Sequence, residues 1–176
     1  MNEDDIRRAL TRIAHEIVER NKGIQNLLLV GLQRRGVPLA ERIGGLINEF
    51  EGHPIPVGAL DVSLYRDDLS RRVRPSLLPT SLPLDVEGSS IVLVDDVFYT
   101  GRTARSALNA LMDLGRPASV QLAVMVDRGH RELPIQADYV GKNFPTGKNE
   151  EIRVRVDEID GCNEVLLVTG IGGVDR

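Results

Sequence analysis

Two adjacent carboxylates, Asp95 and Asp96, follow the apolar run IVLV in the stretch IVLVDDVFYTGRT (91–103). Such side chains suit sugar hydroxyls, or Mg²⁺ held through water. A Thr-Gly-Arg-Thr turn comes next, and a helix is predicted from about residue 103 to 114. The first amides of a helix lack internal partners and carry partial positive charge, which suits a phosphate monoester. The succession therefore indicates a ribose 5-phosphate group.

This turn differs from the commoner nucleotide motifs. It has no Gly-Lys-Ser/Thr and no G-x-G-x-x-G, so it is neither a Walker A loop nor a dinucleotide turn. Gly101 allows close backbone approach, and Thr100 and Thr103 add hydroxyl donors. The alternative is a solvated strand end followed by an ordinary capped helix. The joint pattern favours the phosphate site over that alternative.

A second turn, GLQRRG (31–36), holds Arg34 and Arg35 between two glycines. Two guanidinium groups in so short a turn could bind an anion bidentately. An ordinary surface turn explains the same residues equally well.

Alternating strands and helices must position these turns. Amphipathic helices are predicted at 3–22, with the cap Asn2, and from about Pro38, with the apolar stripe Ala40, Ile43, Ile47 and Phe50. Strands are predicted at 25–32, 54–65, 90–96, 119–126, 138–145, 152–159 and 163–170. Unbroken apolar strands between helices predict an α/β fold with a mostly parallel sheet, whose ligands lie beyond the strands' carboxyl ends.

Length and composition bound the class of protein. The 176 residues predict one domain, with 41% apolar and 27% charged residues. The net charge of −4 excludes a general nucleic-acid binder, so a polyanion would need a local basic patch. We expect no membrane association, because no apolar run approaches the ~20 residues of a span. A single cysteine, Cys162, fits a cytoplasmic protein without disulfides.

Two further segments stand out. Residues 66–88 hold three prolines and eight charges without a period, and a loop of this length is usually functional or disordered. On the first helix, a polar stripe opposite the apolar face contains Arg8, Thr11, His15 and Lys22. A solvated helix face is the simpler interpretation of that stripe.

The stretch 91–103 resembles the signature of type I phosphoribosyltransferases, which bind phosphoribosyl pyrophosphate (PRPP). RALTRIAHEIVERNKG (8–23), LYRDDLS (64–70) and the segment 115–143 with DRGHRELP resemble the PyrR family. Its members are bacterial regulators of pyrimidine genes that also have uracil phosphoribosyltransferase activity. The resemblance covers nearly the whole chain and is loosest at 71–84 and after 160.

The resemblance implies the type I phosphoribosyltransferase fold for residues 1–176, with a flexible loop at about 66–88 and a small hood from segments at about 127–160. It implies joining of uracil to PRPP, giving UMP and pyrophosphate, with Mg²⁺ carried by PRPP near the acid pair. It also implies binding of pyr messenger RNA when UMP or UTP occupies the site, and assembly into a homo-oligomer.

The resemblance also assigns residues. Catalysis falls to Asp95, Asp96, Arg34 and Arg35. PRPP and UMP would contact Arg34, Arg35, Tyr65, Arg66, Asp95, Asp96, Val97, Tyr99, Thr100, Gly101, Arg102 and Thr103. The base would contact Val126, Asp127 and Arg128, and RNA would contact Thr11, His15, His130, Arg131 and Lys142. We expect Thr11, His15, Arg131 and Lys142 to share one exposed surface away from the PRPP site.

Two alternatives remain at this point. The protein could sense nucleotides and bind RNA with negligible catalysis, or it could transfer another base, a purine or orotate, without an RNA role. Residues 53–141 contain no lysine, so the catalytic lysine of orotate-type enzymes is absent from the flexible loop.

Overall fold

A computed structural model describes residues 1–65, 80–147 and 149–169. The helices are α1 (Glu3–Asn21), α2 (Gly36–Glu51), α3 (Arg102–Leu114) and the short α4 (Asp157–Asp160), and a 3₁₀ turn covers Ser63–Tyr65. The strands are β1 (Leu27–Leu32), β2 (Val57–Leu60), β3 (Ser90–Phe98), β4 (Ser119–Asp127), β5 (Tyr139–Asn143), β6 (Glu150–Arg155) and β7 (Glu164–Thr169).

Five strands form one sheet in the order β2-β1-β3-β4-β5, and every neighbouring pair is parallel. This confirms the predicted parallel sheet. The chain moves to one side of β1 for β2 and to the other side for β3. In sheets of this order, ligands bind where the direction reverses, beyond the carboxyl ends of β1 and β3.

Helices cover both faces of the sheet. Leu27 and Leu29 of β1 point into one buried cluster with α1 and α2, whereas Leu28 and Val30 point into a second cluster with α3. Because both faces are buried, the central strands read as continuous apolar runs rather than as alternating ones.

The first helix begins as predicted, with a capping box between Asn2 and Asp5. The predicted apolar stripe of α2 is buried at Ala40, Ile43 and Ile47. Phe50 is an exception, since it is 38% exposed. Its ring stacks on His15 of α1, with 4.2 Å between ring centroids. Phe50 therefore joins the two helices at the surface instead of filling the core.

Strands β6 and β7 form a separate antiparallel pair. Met1 extends it, because its ammonium donates to the Val165 carbonyl oxygen (2.8 Å) and its carbonyl oxygen accepts the Val165 N–H (2.9 Å). The predicted strand 152–159 is wrong at its end, since residues 157–160 form the single helical turn α4.

The predicted strand 54–65 is also too long. The Asp61 carboxylate accepts from both the N–H (2.9 Å) and the hydroxyl (2.5 Å) of Ser63, which turns the chain into the 3₁₀ segment. Most of the predicted flexible loop, 66–79, lies outside the described residues. Within the part of the chain that the structure describes, no helix has the length and apolar character of a membrane span.

Candidate functional site

The ends of β1, β3 and β4 lie side by side at the carboxyl edge of the sheet. Gly36, the first residue of α2, is pressed against β3, because a Cβ built on it would lie 2.2 Å from the Val94 carbonyl oxygen. A larger residue there would separate the turn after β1 from the acid pair after Val94. The two turns singled out in the sequence therefore border one region, as expected.

The turn after β3 leads directly into α3 and borders a cavity. Gly101 adopts φ 93°, a left-handed conformation that favours glycine, and α3 begins at the next residue. No acidic residue occupies the first turn of α3. A cavity of about 280 Å³ is lined by Val97, Phe98, Tyr99, Thr100, Gly101, Arg102, Thr103 and Glu132. Every residue predicted in this turn therefore borders one cavity.

A segment after β4 supports this turn. The Thr100 carbonyl oxygen accepts the N–H groups of Glu132 (3.0 Å) and Leu133 (3.2 Å). The Arg102 Nε donates to Glu132 Oε2 at 2.7 Å. Glu132 was not predicted as a site residue, although it lies in the quoted DRGHRELP segment. Its partner Arg102 offsets its charge beside the cavity.

The two aspartates are oriented by the backbone. Asp95 Oδ1 accepts the Asp96 N–H at 2.9 Å, and Asp96 Oδ1 accepts the Val97 N–H at 2.8 Å. Both residues are half-buried. In the described residues, no group of three or more His, Cys, Asp and Glu is placed to hold a metal ion. A carboxylate pair of this kind fits Mg²⁺ that shares its coordination with water and substrate phosphates.

The turn after β1 reaches across to the small sheet. Arg35 makes a two-point pair with Asp160 at the end of α4, from Nε to Oδ2 (3.0 Å) and from Nη2 to Oδ1 (2.7 Å). This hydrogen-bonded pair raises the pKa of Arg35 and lowers that of Asp160 to about 2. Arg34 is exposed, and the Gln33–Arg34 peptide bond is cis.

A second cavity, of about 470 Å³, separates the acid pair from β6. Its lining is Arg35, Asp96, Val97, Glu151, Ile152, Arg153, Val154, Arg155 and Asp160. Val97 borders both cavities, so they lie on either side of the end of β3. Asp160 was missed in the sequence because IRVRVDEI was interpreted as one strand.

The residues predicted for the base follow β4. Val126 is buried, and the Arg128 N–H donates to the Phe98 carbonyl oxygen at 3.0 Å. The Asp127 carbonyl oxygen accepts the Phe144 N–H at 2.8 Å. These two backbone groups therefore serve the loops around the sheet, although a carbonyl oxygen has a second lone pair for a ligand.

The Arg128 side chain is buried and paired. It donates from Nε to Thr146 Oγ1 (3.0 Å) and from Nη2 to the Glu150 carbonyl oxygen (2.6 Å). Its guanidinium carbon also lies 4.1 Å from the centroid of the Tyr99 ring. Arg128 therefore connects the turn after β3 to the start of β6.

The Tyr65 side chain contacts α3. Its hydroxyl donates to Asp113 Oδ2 at 2.7 Å, and this hydrogen bond raises the pKa of the phenol. Asp113 is near the end of α3, and a helix rises about 1.5 Å per residue. The hydroxyl is therefore roughly 15 Å along that helix from the turn after β3. The Tyr65 hydroxyl is thus held by α3, its assignment to pyrophosphate stays a prediction, and Arg66 lies outside the described residues.

The five residues predicted for RNA come from two parts of the fold, the loop after β4 and the surface formed by α1 and β5. His130 Nε2 lies 2.6 Å from the Thr146 carbonyl oxygen. Arg131 donates to the carbonyl oxygens of Tyr99 (2.5 Å) and Ile135 (3.2 Å). Arg131 therefore does not stand apart from the residues predicted to bind PRPP, because Tyr99 is one of them.

The other three lie on or beside α1. Thr11 is half-buried, whereas His15 and Lys142 are exposed. Lys142 shares a groove of about 330 Å³ with Arg8 and Arg12 of α1. We call Arg8, Thr11, Arg12, His15 and Lys142 the α1 basic face.

Comparison with protein families places residues 2–158 within the phosphoribosyl transferase domain. Curated relatives align over nearly their full length. The chain is 61% identical over 169 residues to "Bifunctional protein PyrR" of Pelotomaculum thermopropionicum, covering 96% of this chain and 93% of that protein. The proteins of the same name from Thermus aquaticus (61%, covering 95% and 93%) and Chloroflexus aurantiacus (59%, covering 97% and 94%) are similarly close.

Solved structures share the fold at lower identity. A hypoxanthine phosphoribosyltransferase of Trypanosoma cruzi superposes with a TM-score of 0.72 and 20% identity, covering 96% of this chain and 94% of that one. A hypoxanthine phosphoribosyltransferase from Staphylococcus aureus gives a TM-score of 0.64 and 20% identity, covering 83% and 77%. These structures confirm the type I phosphoribosyltransferase fold.

Proposed function

Because this chain belongs to the PyrR family of the phosphoribosyl transferase domain proteins, we propose that it joins uracil to PRPP and regulates pyrimidine genes by binding their messenger RNA. The observation that carries the catalytic half is the set of groups at the sheet edge. The acid pair and then the phosphate turn (residues 99–103) lie at the end of β3, and the arginine turn (residues 33–36) follows the neighbouring strand β1. PRPP presents a ribose, a phosphate and a pyrophosphate to match these three groups.

The reaction is a displacement at the anomeric carbon. The uracil N1–C1′ bond forms, the bond from C1′ to the pyrophosphate oxygen breaks, and N1 loses its proton, giving UMP and pyrophosphate. Thr100 and Thr103, with the first amides of α3, hold the 5-phosphate. Asp95 and Asp96 hold the ribose hydroxyls close to the positive charge that develops on the ring. Positioning and electrostatic stabilisation supply most of the rate.

Charge on the leaving group is balanced by cations. Arg34 and Arg35 lie at the pyrophosphate end, and Arg66 serves there as well. Asp95 and Asp96 would hold Mg²⁺ together with PRPP, and the ion would neutralise part of the pyrophosphate charge. The donor set supports this, since one or two carboxylates plus substrate phosphates are the usual surroundings of Mg²⁺.

Uracil specificity rests on the family rather than on the geometry of the site. Val126, Asp127 and Arg128 border the base at the end of β4. A pocket that pairs with the polar edge of one base discriminates strongly against a base with another edge, because unmatched polar groups are left without partners.

The regulatory half uses the same nucleotide site as a sensor. RNA binds when UMP or UTP occupies it. Thr11, His15 and Lys142 contact RNA on the α1 basic face, and His130 and Arg131 act beside the site. Since the net charge is −4, binding depends on this local concentration of cations. The protein is cytoplasmic. It also forms a homo-oligomer, and sedimentation equilibrium measures the mass of that assembly directly.

Product formation from PRPP with uracil, hypoxanthine or orotate tests the proposal. UMP from uracil, with far slower reaction of the other two bases, is the expected result. Preferential use of hypoxanthine or orotate would replace uracil transferase by another transferase. Absence of any product, with RNA binding still dependent on UMP, would leave a nucleotide sensor without catalysis.

A further inference from the structure

The Arg35–Asp160 pair occupies the place where the substrate's pyrophosphate is expected. Arg35 presents two N–H groups to the two carboxylate oxygens, at 3.0 and 2.7 Å. The guanidinium fork matches a phosphate group as well as it matches a carboxylate. Asp160 is the less exposed partner, with 16% of its side chain accessible against 36% for Arg35.

The other arginines that line the second cavity are also paired with carboxylates. Of the other arginines that line it, Arg153 is bound to Glu151 (3.2 Å) and Arg155 to Glu164 (2.8 Å). An anion that enters this cavity therefore meets arginines whose charge is already balanced by carboxylates. To gain a two-point contact with the Nε edge of Arg35, it must displace Asp160.

Asp160 has a second hydrogen-bond partner besides Arg35. The Val156 N–H donates to Asp160 Oδ2 at 3.0 Å, inside the same helical turn. The carboxylate would therefore keep one hydrogen bond after release, which lowers the cost of the exchange.

We propose that Asp160 sets the affinity of the pyrophosphate end of the site, by holding Arg35 when the site is empty and yielding it to a phosphate group when PRPP or pyrophosphate binds. The inference rests on the proposed function, since it takes Arg35 as a pyrophosphate ligand. Asp160 is a positioning residue that acts through Arg35. Its carboxylate weakens the binding of both substrate and product, and so favours release of pyrophosphate after the reaction.

The same short helix supplies a matched control. Glu158 makes a two-point pair with Arg42 of α2, from Nε (2.8 Å) and Nη2 (2.7 Å). This pair has the same geometry as Arg35–Asp160, but Arg42 lies outside both cavities at the sheet edge. Glu158→Gln therefore removes an equivalent ion pair from α4 without touching the candidate site.

The test is titration of the full chain with inorganic pyrophosphate, together with steady-state kinetics. Asp160→Asn keeps the shape and the bond to Val156 but removes the negative charge. It should tighten pyrophosphate about two- to fivefold, the range expected for a partly exposed ion pair. The KM for PRPP should fall by a similar factor while kcat does not rise, and Glu158→Gln should leave both constants unchanged.

A double-mutant cycle makes the assignment specific. In an Arg35→Gln background, Asp160→Asn should have no effect on pyrophosphate binding, because the two residues act as one unit. Weaker or unchanged pyrophosphate binding in Asp160→Asn alone, with a parental melting temperature, would overturn the inference. If the parent itself neither binds pyrophosphate nor makes UMP, the proposed function has failed instead.

Discussion

Arg131, in the loop after β4, pairs with the carboxylate of Asp127 at the end of that strand. The same guanidinium donates to the Tyr99 carbonyl oxygen (2.5 Å) and lies 3.5 Å from the centroid of the Phe98 ring. One side chain therefore holds together the two loops that we propose to border the phosphate and the base. A residue expected to serve RNA alone therefore contacts residues that we propose to border the nucleotide.

Arg131→Ala should consequently impair nucleotide binding as well as RNA binding. Loss of charge-assisted hydrogen bonds in a partly buried place should cost about 1–3 kcal/mol of stability. At ~2–4 °C per kcal/mol for a chain of this size, the melting temperature should fall by roughly 2–12 °C. UMP affinity should fall about tenfold, because the phosphate turn loses its support.

The control is Arg7→Ala. Arg7 pairs with Asp4 on α1, and both side chains are more than 60% exposed. Exposed pairs contribute about 0–1 kcal/mol, so its melting temperature should stay close to that of the parent. If Arg131→Ala loses RNA binding but keeps parental UMP affinity, Arg131 contacts RNA directly and does not support the site.

The acid pair should matter for rate and little for stability. In Asp96→Asn, the amide oxygen can still accept the Val97 N–H, so the fold should persist. The charge that faces the ribose is lost, and removal of one electrostatic stabiliser costs roughly 10²–10³ in kcat. We therefore expect UMP synthesis to fall by that order with a change of melting temperature within about 2 °C. Parallel loss of both would make the pair structural.

The Arg35–Asp160 pair predicts a defined response to acid. The folded-state pKa of Asp160 is lowered to about 2, whereas an unperturbed aspartate titrates near ~3.9. A lowered folded-state pKa stabilises the fold above the unfolded value, and that contribution is lost as the pH falls through the folded value. Above about pH 5, the melting temperatures of the parent and of Asp160→Asn should therefore differ by a constant amount. This difference should shrink between about pH 4 and pH 2. A difference independent of pH down to that range would contradict the assignment.

RNA binding through the α1 basic face is tested by Lys142→Gln. Loss of one phosphate contact should reduce the slope of log affinity against log salt by about 0.7–0.9, with UMP synthesis retained. Arg116→Gln is the control. Arg116 is exposed and precedes β4, so it lies at the amino ends of the parallel strands, opposite to their carboxyl ends. UMP should tighten RNA binding in the parent, and by linkage RNA should tighten UMP by the same factor. Equal salt slopes for Lys142→Gln and the parent would remove Lys142 from the interface.

The sheet and its phosphate turn could be predicted because short local sequence patterns indicate both. Apolar runs of 4–6 residues followed by acids or by glycines mark strand ends, and parallel strands bring those ends to one edge. The β3–α3 turn needs no residue outside 95–103 to be recognised. In the structure, α3 begins where the sequence pattern predicts it, and Gly101 adopts a left-handed conformation at its start.

The features that could not be predicted depend on contacts between residues that are distant in sequence. Arg35 and Asp160 are 125 positions apart, and neither pattern says that they meet. Arg131 carries the charge and motif of an RNA contact, yet its surroundings are decided by Asp127 and by the Tyr99 carbonyl oxygen. Periodicity likewise cannot place Phe50, because stacking on His15 competes with burial at the end of α2.

The central claim, that the β3–α3 turn binds the 5-phosphate, is tested most directly by comparing UMP with uridine. Thr103 lines the cavity of this turn, and a charge-assisted hydrogen bond to phosphate contributes roughly 1.5–3 kcal/mol. Calorimetric titration of Thr103→Val should show UMP weakened by about one to two powers of ten, with uridine binding equal to that of the parent. Unchanged UMP affinity in Thr103→Val, or equal weakening of UMP and uridine, would contradict the assignment of this turn to the phosphate.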